Sequence, residues 1–126
     1  MAALARKILV VDDSKPLRDL MVALLTEDGY DVTAVENGAQ ALHVLSAPLP
    51  QPDLILLDLE MPVMGGEEFL QSASENDHLS SMRVVVVSSN TLQEPTPIRP
   101  LARLAKPFTA QALLRVVEEY SLPRAV

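Results

Sequence analysis

Three short runs of this chain are apolar at every position, and they constrain its fold more than any other feature of the sequence. They cover residues 8–11 (ILVV), 54–57 (LILL) and 84–87 (VVVV). A strand that is apolar on both sides is buried on both faces, as in a parallel sheet with helices on each side. A run of mixed polarity at 31–35 suggests an edge strand, and residues 101–105 are a fifth candidate. The pattern therefore predicts an α/β fold around a doubly wound, five-stranded parallel sheet.

Segments with helical periodicity lie between these strands, as βαβ connections require. The first helix has apolar residues at intervals of three and four, with Ser14 placed to cap its start and Gly29 to end it. A similar apolar stripe at 113–120 predicts a last helix, for which Thr109 is the expected cap.

Two shorter apolar stripes, around residues 41–45 and 69–73, predict a second and a third helix. The alternation also requires a helix between the fourth and fifth strands, but prolines occupy positions 95, 97 and 100 there. Proline removes a backbone N–H and biases the preceding residue away from helical angles. We therefore expect this fourth helix to be shortened or replaced by an irregular loop.

Composition limits the functions that the chain can have. Its 126 residues suit a single domain, 1–126, with a core from about residue 7 to 120 and a short tail at 121–126. The formal net charge of −7 argues against nonspecific binding to nucleic acid or to membranes. The absence of cysteine excludes disulfides, thiol catalysis and cysteine-based zinc sites. No apolar run approaches the ~20 residues of a membrane span and no secretory signal is visible, so we expect a cytoplasmic protein.

Polar residues follow the predicted strands at the points where the strands end. Asp12 and Asp13 follow the first strand, Asp58 the third and Ser88 the fourth, and Lys106 comes directly after the fifth. The carboxyl ends of the strands form the ligand site of a doubly wound sheet, so these five side chains should gather at one edge. Converging carboxylates repel one another unless a cation joins them, and Mg²⁺ prefers oxygen ligands. A metal, a hydroxyl and an ammonium around one carboxylate are what phosphoryl transfer onto that carboxylate requires.

Four motifs, in this order, make the chain resemble the receiver domain of response regulators in two-component signalling. They are VVDDS after the first strand, DLEMPVMGG after the third, VVVVSS in the fourth and KPF before the last helix. Each motif is weak alone, but together, each at a strand end, they are specific. The resemblance covers residues 7 to about 120. It implies a flavodoxin-like sheet with strand order 2-1-3-4-5 and five surrounding helices.

The resemblance also implies a phosphoacceptor and a metal site. Asp58 would accept a phosphoryl group from a histidine kinase or a phosphotransfer protein, its upstream partner. Asp13, Asp58 and the backbone carbonyl of Glu60 would bind Mg²⁺, with Asp12 acting mainly through water. Such a protein is not an enzyme toward other substrates, and its output passes to an unknown downstream protein.

The remaining residues of the resemblance concern the response to phosphorylation. Ser88 and Lys106 would hold the phosphoryl oxygens, and the bond between Lys106 and Pro107 would be cis. Receivers usually have an aromatic switch residue three positions before the lysine, where this chain has Arg103. An aromatic rotamer switch therefore cannot operate, and we expect the signal to appear as a rearrangement of the loop at 90–100.

Two other functions fit the same residues. A pseudo-receiver, which binds a partner without using phosphate, fits the altered switch region, although the complete acidic cluster disfavours it. An Mg²⁺-dependent phosphohydrolase with an aspartyl nucleophile typically has a second acid two residues further on. Asp58 and Glu60 are two residues apart, but the segment DLE resembles the phosphohydrolase motif only loosely.

Overall fold

The computed structural model describes residues 5–47, 50–90 and 96–121. Neighbouring strands all pair in parallel, and their order across the sheet is 2-1-3-4-5. The predicted flavodoxin-like sheet is confirmed, with the strand at 31–35 at one edge. In chain order the elements are β1 (Lys7–Val11), α1 (Lys15–Glu27), β2 (Asp31–Val35), α2 (Gly38–Leu45), β3 (Leu54–Leu57), α3 (Gly66–Ser74), β4 (Val84–Ser88), β5 (Ala102–Ala105) and α4 (Ala110–Ser121).

The apolar runs are buried on both faces of the sheet, as their composition predicted. Every residue in 8–11, 54–57 and 84–87 is at most 1% exposed. Along β1, Ile8 and Val10 pack with residues of α1 and α4, whereas Leu9 and Val11 pack with residues of α2 and α3. Burial of each such side chain is worth roughly 1.5–3 kcal/mol, so these strands supply much of the driving force for folding.

The register of the sheet places the carboxyl ends of β1 and β3 at the same level. Val11 is the register partner of Leu57 in β3 and of Val35 in β2. The Asp58 N–H donates to the Val11 carbonyl (2.9 Å), and the Asp12 N–H donates to the Val35 carbonyl (3.1 Å). The two aspartates therefore leave the sheet side by side.

The helix ends follow the predicted capping residues. The Ser14 side chain accepts a hydrogen bond from the Leu17 N–H at the start of α1, and Gly29 follows its end with a φ of +96°. At the start of α4, Thr109 Oγ1 accepts a hydrogen bond from the Ala112 N–H (3.0 Å). Within the described ranges, the helices are all too short or too polar to cross a bilayer.

The connection between β4 and β5 is irregular wherever the structure describes it. Residues 96–101 form bends and no helix, yet Ile98 is buried among the residues that pack with α3. The Leu101 N–H donates to the Val84 carbonyl (2.8 Å) and returns the chain to the sheet. Residues 91–95, which include the first of the three prolines, lie outside the described ranges, as do residues 122–126 of the expected tail. For the part described, this confirms the prediction that the helix expected between β4 and β5 is shortened or irregular.

A substitution at Gly66 tests how closely α3 approaches the end of β3. The Gly66 N–H donates to the Leu59 carbonyl (2.9 Å), and a Cβ at this position would collide with the Asp58 carbonyl oxygen. We expect Gly66→Ala to lower the free energy of unfolding by about 2–3 kcal/mol, since overpacking against a backbone cannot relax easily. Gly29→Ala is the comparison, because open space surrounds Gly29 and only its positive φ opposes a side chain, at about 1 kcal/mol. Urea denaturation measures both, and equal losses would contradict the proposed collision.

Candidate functional site

The carboxyl ends of β1 and β3 bring three acidic side chains together. Asp12 and Asp58 are buried, at 2% and 5% exposure, and Asp13 lies exposed beside them. One carboxylate oxygen from each residue lies within 4.8 Å of the others. Negative charges this close repel one another strongly when water is excluded, so the cluster needs positive charge nearby.

Lys106, directly after β5, supplies one positive charge. Its Nζ lies 2.7 Å from Asp12 Oδ2 and 3.4 Å from Asp58 Oδ2. Its backbone N–H donates to the Ser88 carbonyl (3.2 Å), which ties the lysine to the end of β4. The Lys106–Pro107 peptide bond is cis. The structure thus brings the lysine onto the two buried aspartates at once.

The three carboxylates differ in the partners that they already have. Asp12 Oδ1 accepts the Ser14 N–H (2.9 Å), and its other oxygen accepts the ammonium described above. Asp58 Oδ1 accepts only a long hydrogen bond from the Glu60 N–H (3.4 Å). Among the described residues, no hydrogen bond or ion pair engages the Asp13 carboxylate. Asp13 and Asp58 therefore keep more lone pairs for a metal than Asp12 does.

The charges at the site do not balance without a further cation. Burial raises the pKa of Asp58 above its ordinary value, Lys106 opposes that rise and Asp12 adds to it. Burial acts to lower the pKa of Lys106, but its hydrogen bond and charge interaction with Asp12, together with Asp58, outweigh burial and raise it. Lys106 is therefore an ammonium at neutral pH, and one ammonium cannot neutralise three carboxylates.

The donor set fits Mg²⁺. This ion binds through one or two carboxylates, carbonyl oxygens, water and phosphate oxygens. Asp13 and Asp58 offer carboxylates, and the Glu60 carbonyl follows two residues after Asp58. The cluster contains neither histidine nor cysteine, the ligands that zinc and other softer metals favour.

Ser88 ends β4 with a buried hydroxyl, at 1% exposure. Its Oγ accepts a hydrogen bond from the Asn90 N–H (3.1 Å). Among the described residues the hydroxyl donates to no acceptor, so its proton is available to an anionic oxygen. Ser88 therefore connects the carboxyl edge of the sheet with the loop that follows β4.

Arg103 makes contacts that the sequence did not indicate. It lies on β5 opposite Val86. Its Nη2 contacts the Ser88 carbonyl (3.4 Å), and its Nε donates to the Asn90 carbonyl (3.3 Å). The sequence identified this position only as one that lacks an aromatic side chain, because the contacts depend on the path of the loop after β4.

Arg18 is a second residue that the sequence analysis missed. It lies in the second turn of α1, and its Nη1 donates to the Asp12 carbonyl (2.7 Å). No motif or spacing signals this contact, since it depends on how α1 packs against the end of β1.

The flavodoxin-like sheet, with an acidic cluster and a lysine at its carboxyl edge, is the arrangement that the motifs of the chain associate with receiver domains. The family model for the response regulator receiver domain matches residues 8–118. Sporulation initiation phosphotransferase F of Bacillus subtilis (strain 168) is 32% identical in an alignment of 118 residues that covers 90% of this chain and 92% of that protein. The chain therefore belongs to the response regulator receiver family of two-component signalling, as its motifs predicted.

Solved structures agree with this assignment. The chemotaxis response regulator CheY4 of Vibrio cholerae matches 94% of this chain and 100% of its own, with a TM-score of 0.82 and 28% identity. The receiver domain of the sensor histidine kinase PA1611 from Pseudomonas aeruginosa PAO1 matches 94% of this chain and 98% of its own (TM-score 0.81, 25% identity), and that structure has a magnesium ion in its active site cleft. The chain spans only 42% and 65% of two response regulators from Oryza sativa subsp. japonica that it also matches.

The raised pKa of Asp58 predicts a pH-dependent effect of Asp58→Asn in a chelator. A carboxyl whose pKa is higher in the folded protein than in the unfolded chain stabilises the fold while protonated, and that stability is lost as the pH rises through the folded pKa. At neutral pH, Asp58→Asn should therefore melt a few degrees above wild type, and the difference should shrink as the pH falls toward the ordinary aspartate range. Thermal melts across this range measure it.

Asp19→Asn is the matched control for that experiment. Asp19 is exposed on α1, and among the described residues its carboxylate pairs with Lys15, which is exposed as well. We expect its effect on the melting temperature to be small. An Asp58→Asn protein that is less stable than wild type at neutral pH would contradict the charge balance described above.

Proposed function

We propose that this protein is a phosphoacceptor of a two-component phosphorelay and that Asp58 receives the phosphoryl group in an Mg²⁺-dependent reaction. The donor would be a histidine kinase or a phosphotransfer protein. The observation that carries this proposal is the buried Asp58 carboxylate, held 3.4 Å from the Lys106 ammonium beside two further carboxylates. Membership of the receiver family and the phosphotransferase name of the Bacillus relative support it.

In the proposed reaction, one Asp58 oxygen forms a bond to phosphorus while the bond from phosphorus to the donor histidine nitrogen breaks. The electron pair of the broken bond stays on that nitrogen, which takes up a proton from solvent. Bound Mg²⁺ supplies positive charge to the phosphoryl oxygens. Asp13, Asp58 and the Glu60 carbonyl would hold the ion, with Asp12 acting mainly through water.

Lys106 and Ser88 would hold the remaining phosphoryl oxygens. The ammonium already lies against Asp58, and the Ser88 hydroxyl has a proton to donate at the same edge of the sheet. Preorganised donors of this kind stabilise charge that develops during transfer. Because Lys106 is not a metal ligand in this scheme, it should affect the response to phosphorylation more than metal binding.

The two alternatives make different use of the same residues. A pseudo-receiver has no need for a buried carboxylate with a raised pKa, and the complete cluster therefore disfavours it. A phosphohydrolase needs a second acid aimed at the leaving group, whereas the side chain of Glu60 is exposed. We propose that each molecule takes one phosphoryl group and does not turn over phosphomonoesters.

Phosphorylation by a small donor tests the proposal and separates the alternatives. With Mg²⁺ and acetyl phosphate, intact mass spectrometry should show a single phosphoryl adduct on wild type and none on Asp58→Asn. Asp13→Ala should slow adduct formation on the order of 100-fold, since the metal contributes several kcal/mol to charge stabilisation. It should leave the fold intact, because Asp13 is exposed.

Asp19→Asn, which removes a carboxylate from the exposed face of α1, should be phosphorylated like wild type. No adduct on wild type would favour the pseudo-receiver, and steady release of phosphate from a phosphomonoester would favour the phosphohydrolase. An adduct that survives in Asp58→Asn would show that another residue is the acceptor.

We further propose that the response to phosphorylation appears in the loop after β4. A phosphoryl group on Asp58 would draw the Ser88 hydroxyl toward it, and Asn90 would follow because its N–H bonds to Ser88 Oγ. Within the described part of this loop, no helix has to unwind, so the rearrangement should require little energy.

Hydrogen exchange tests this response. On addition of Mg²⁺ and beryllofluoride, a phosphoryl mimic, we expect altered protection of the Asn90 amide and of the amides of Thr96, Ile98 and Arg99. The amides at 102–105 should change less, because β5 is fixed by its ladder with β4. Asp58→Asn provides the control, since the mimic should not bind it. Unchanged protection around Asn90 in wild type would mean that the signal leaves by another surface.

A further inference from the structure

One basic side chain, on α1, contacts the backbone of the acidic cluster. Arg18 Nη1 donates to the Asp12 carbonyl at 2.7 Å, a short hydrogen bond with a charged donor. The arginine side chain is only 15% exposed, and its Nη2 lies 3.9 Å from Glu36 Oε2. Glu36 is itself held to the first turn of α2, where its carboxylate accepts from Gln40 Nε2 (3.2 Å).

This contact fixes the peptide plane that joins Asp12 to Asp13. A peptide group is planar, so holding its oxygen also orients its N–H and the next Cα atom. The other polar groups of Asp12 are already engaged: its N–H by Val35, and its carboxylate by Ser14 and the lysine after β5. Asp13 has no such partners among the described residues, so the direction of its carboxylate depends on this peptide plane.

The positive charge of Arg18, taken alone, would weaken the binding of a cation at the acidic cluster. A positive charge near a cation site repels the cation, and Glu36, at 3.9 Å and half exposed, offsets that repulsion only in part. If Arg18 acted through its charge, removing it would tighten Mg²⁺ binding. If it acts by holding the peptide, removing it would weaken binding. The two roles therefore differ in sign.

We infer that Arg18 is a positioning residue for the metal site: its hydrogen bond to the Asp12 carbonyl aims the Asp13 carboxylate at the position of the ion. This inference rests on the proposed function, because it assumes that the acidic cluster binds Mg²⁺. Arg18 touches neither the metal ligand oxygens nor the phosphoryl group in this scheme. Its effect passes through one peptide bond.

The test is the affinity for Mg²⁺ alone, measured by NMR titration of the metal-free protein. Arg18→Met keeps a long side chain but removes the donor and the charge, and it should weaken binding at least threefold. Arg18→Lys keeps a charge and a donor, so it should bind Mg²⁺ more tightly than Arg18→Met. Lys15→Met removes an exposed cation that pairs with Asp19 on the same helix, and it should change the affinity little.

Melting temperatures in a chelator separate positioning from a general loss of stability. The order of Mg²⁺ affinity among Arg18→Met, Arg18→Lys and Lys15→Met should differ from the order of their melting temperatures. Should Arg18→Met fail to fold, Arg18→Gln replaces it: its amide is uncharged and too short to reach the carbonyl, so positioning again predicts weaker binding and charge predicts tighter binding. Equal or tighter binding by Arg18→Met or its replacement would overturn the inference. A wild-type protein that binds no Mg²⁺ would overturn the proposed function itself, and this inference with it.

Discussion

The parallel pairing of two strands that are buried on both faces is the constraint on which the rest of this structure depends. β1 and β3 keep their apolar side chains out of water on both sides of the sheet, and their register makes Val11 and Leu57 partners. The residues that follow, Asp12 and Asp58, then leave the sheet at the same level. Hydrophobic burial thus forces two carboxylates together that would repel each other in isolation.

That enforced proximity explains the chemistry of the site. Lys106 relieves part of the repulsion, but burial still raises the pKa of Asp58, and the exposed Asp13 adds a third charge. A site with this residual charge and free oxygen ligands favours a hard divalent cation. The proposed transfer of a phosphoryl group uses the same imbalance, because the cation and the ammonium are both placed where new negative charge would arrive.

The region between β4 and β5 is where we expect this chain to depart from the usual pattern of receiver domains. An aromatic ring at the position of Arg103 would respond by changing rotamer. A guanidinium instead contacts two backbone carbonyls, those of Ser88 and Asn90, and so joins β5 to the loop itself. Ile98 anchors the far end of the described loop in the core. Coupling through backbone contacts is consistent with a response that moves the loop as a unit.

The sequence alone determined the strands, most of the helices and the position of the acidic edge, because these follow from local patterns. Runs apolar at every position fix buried strands, and Ser14 and Thr109 mark helix starts through hydrogen bonds that span three residues. Only the tertiary structure decided which carboxylates have partners. Lys106 reaches Asp12 from 94 positions away, and Arg103 reaches Ser88 from 15. Such contacts depend on how helices and loops pack against the ends of the sheet, which no local spacing encodes, and for that reason the roles of Arg18 and Arg103 became visible only in the folded chain.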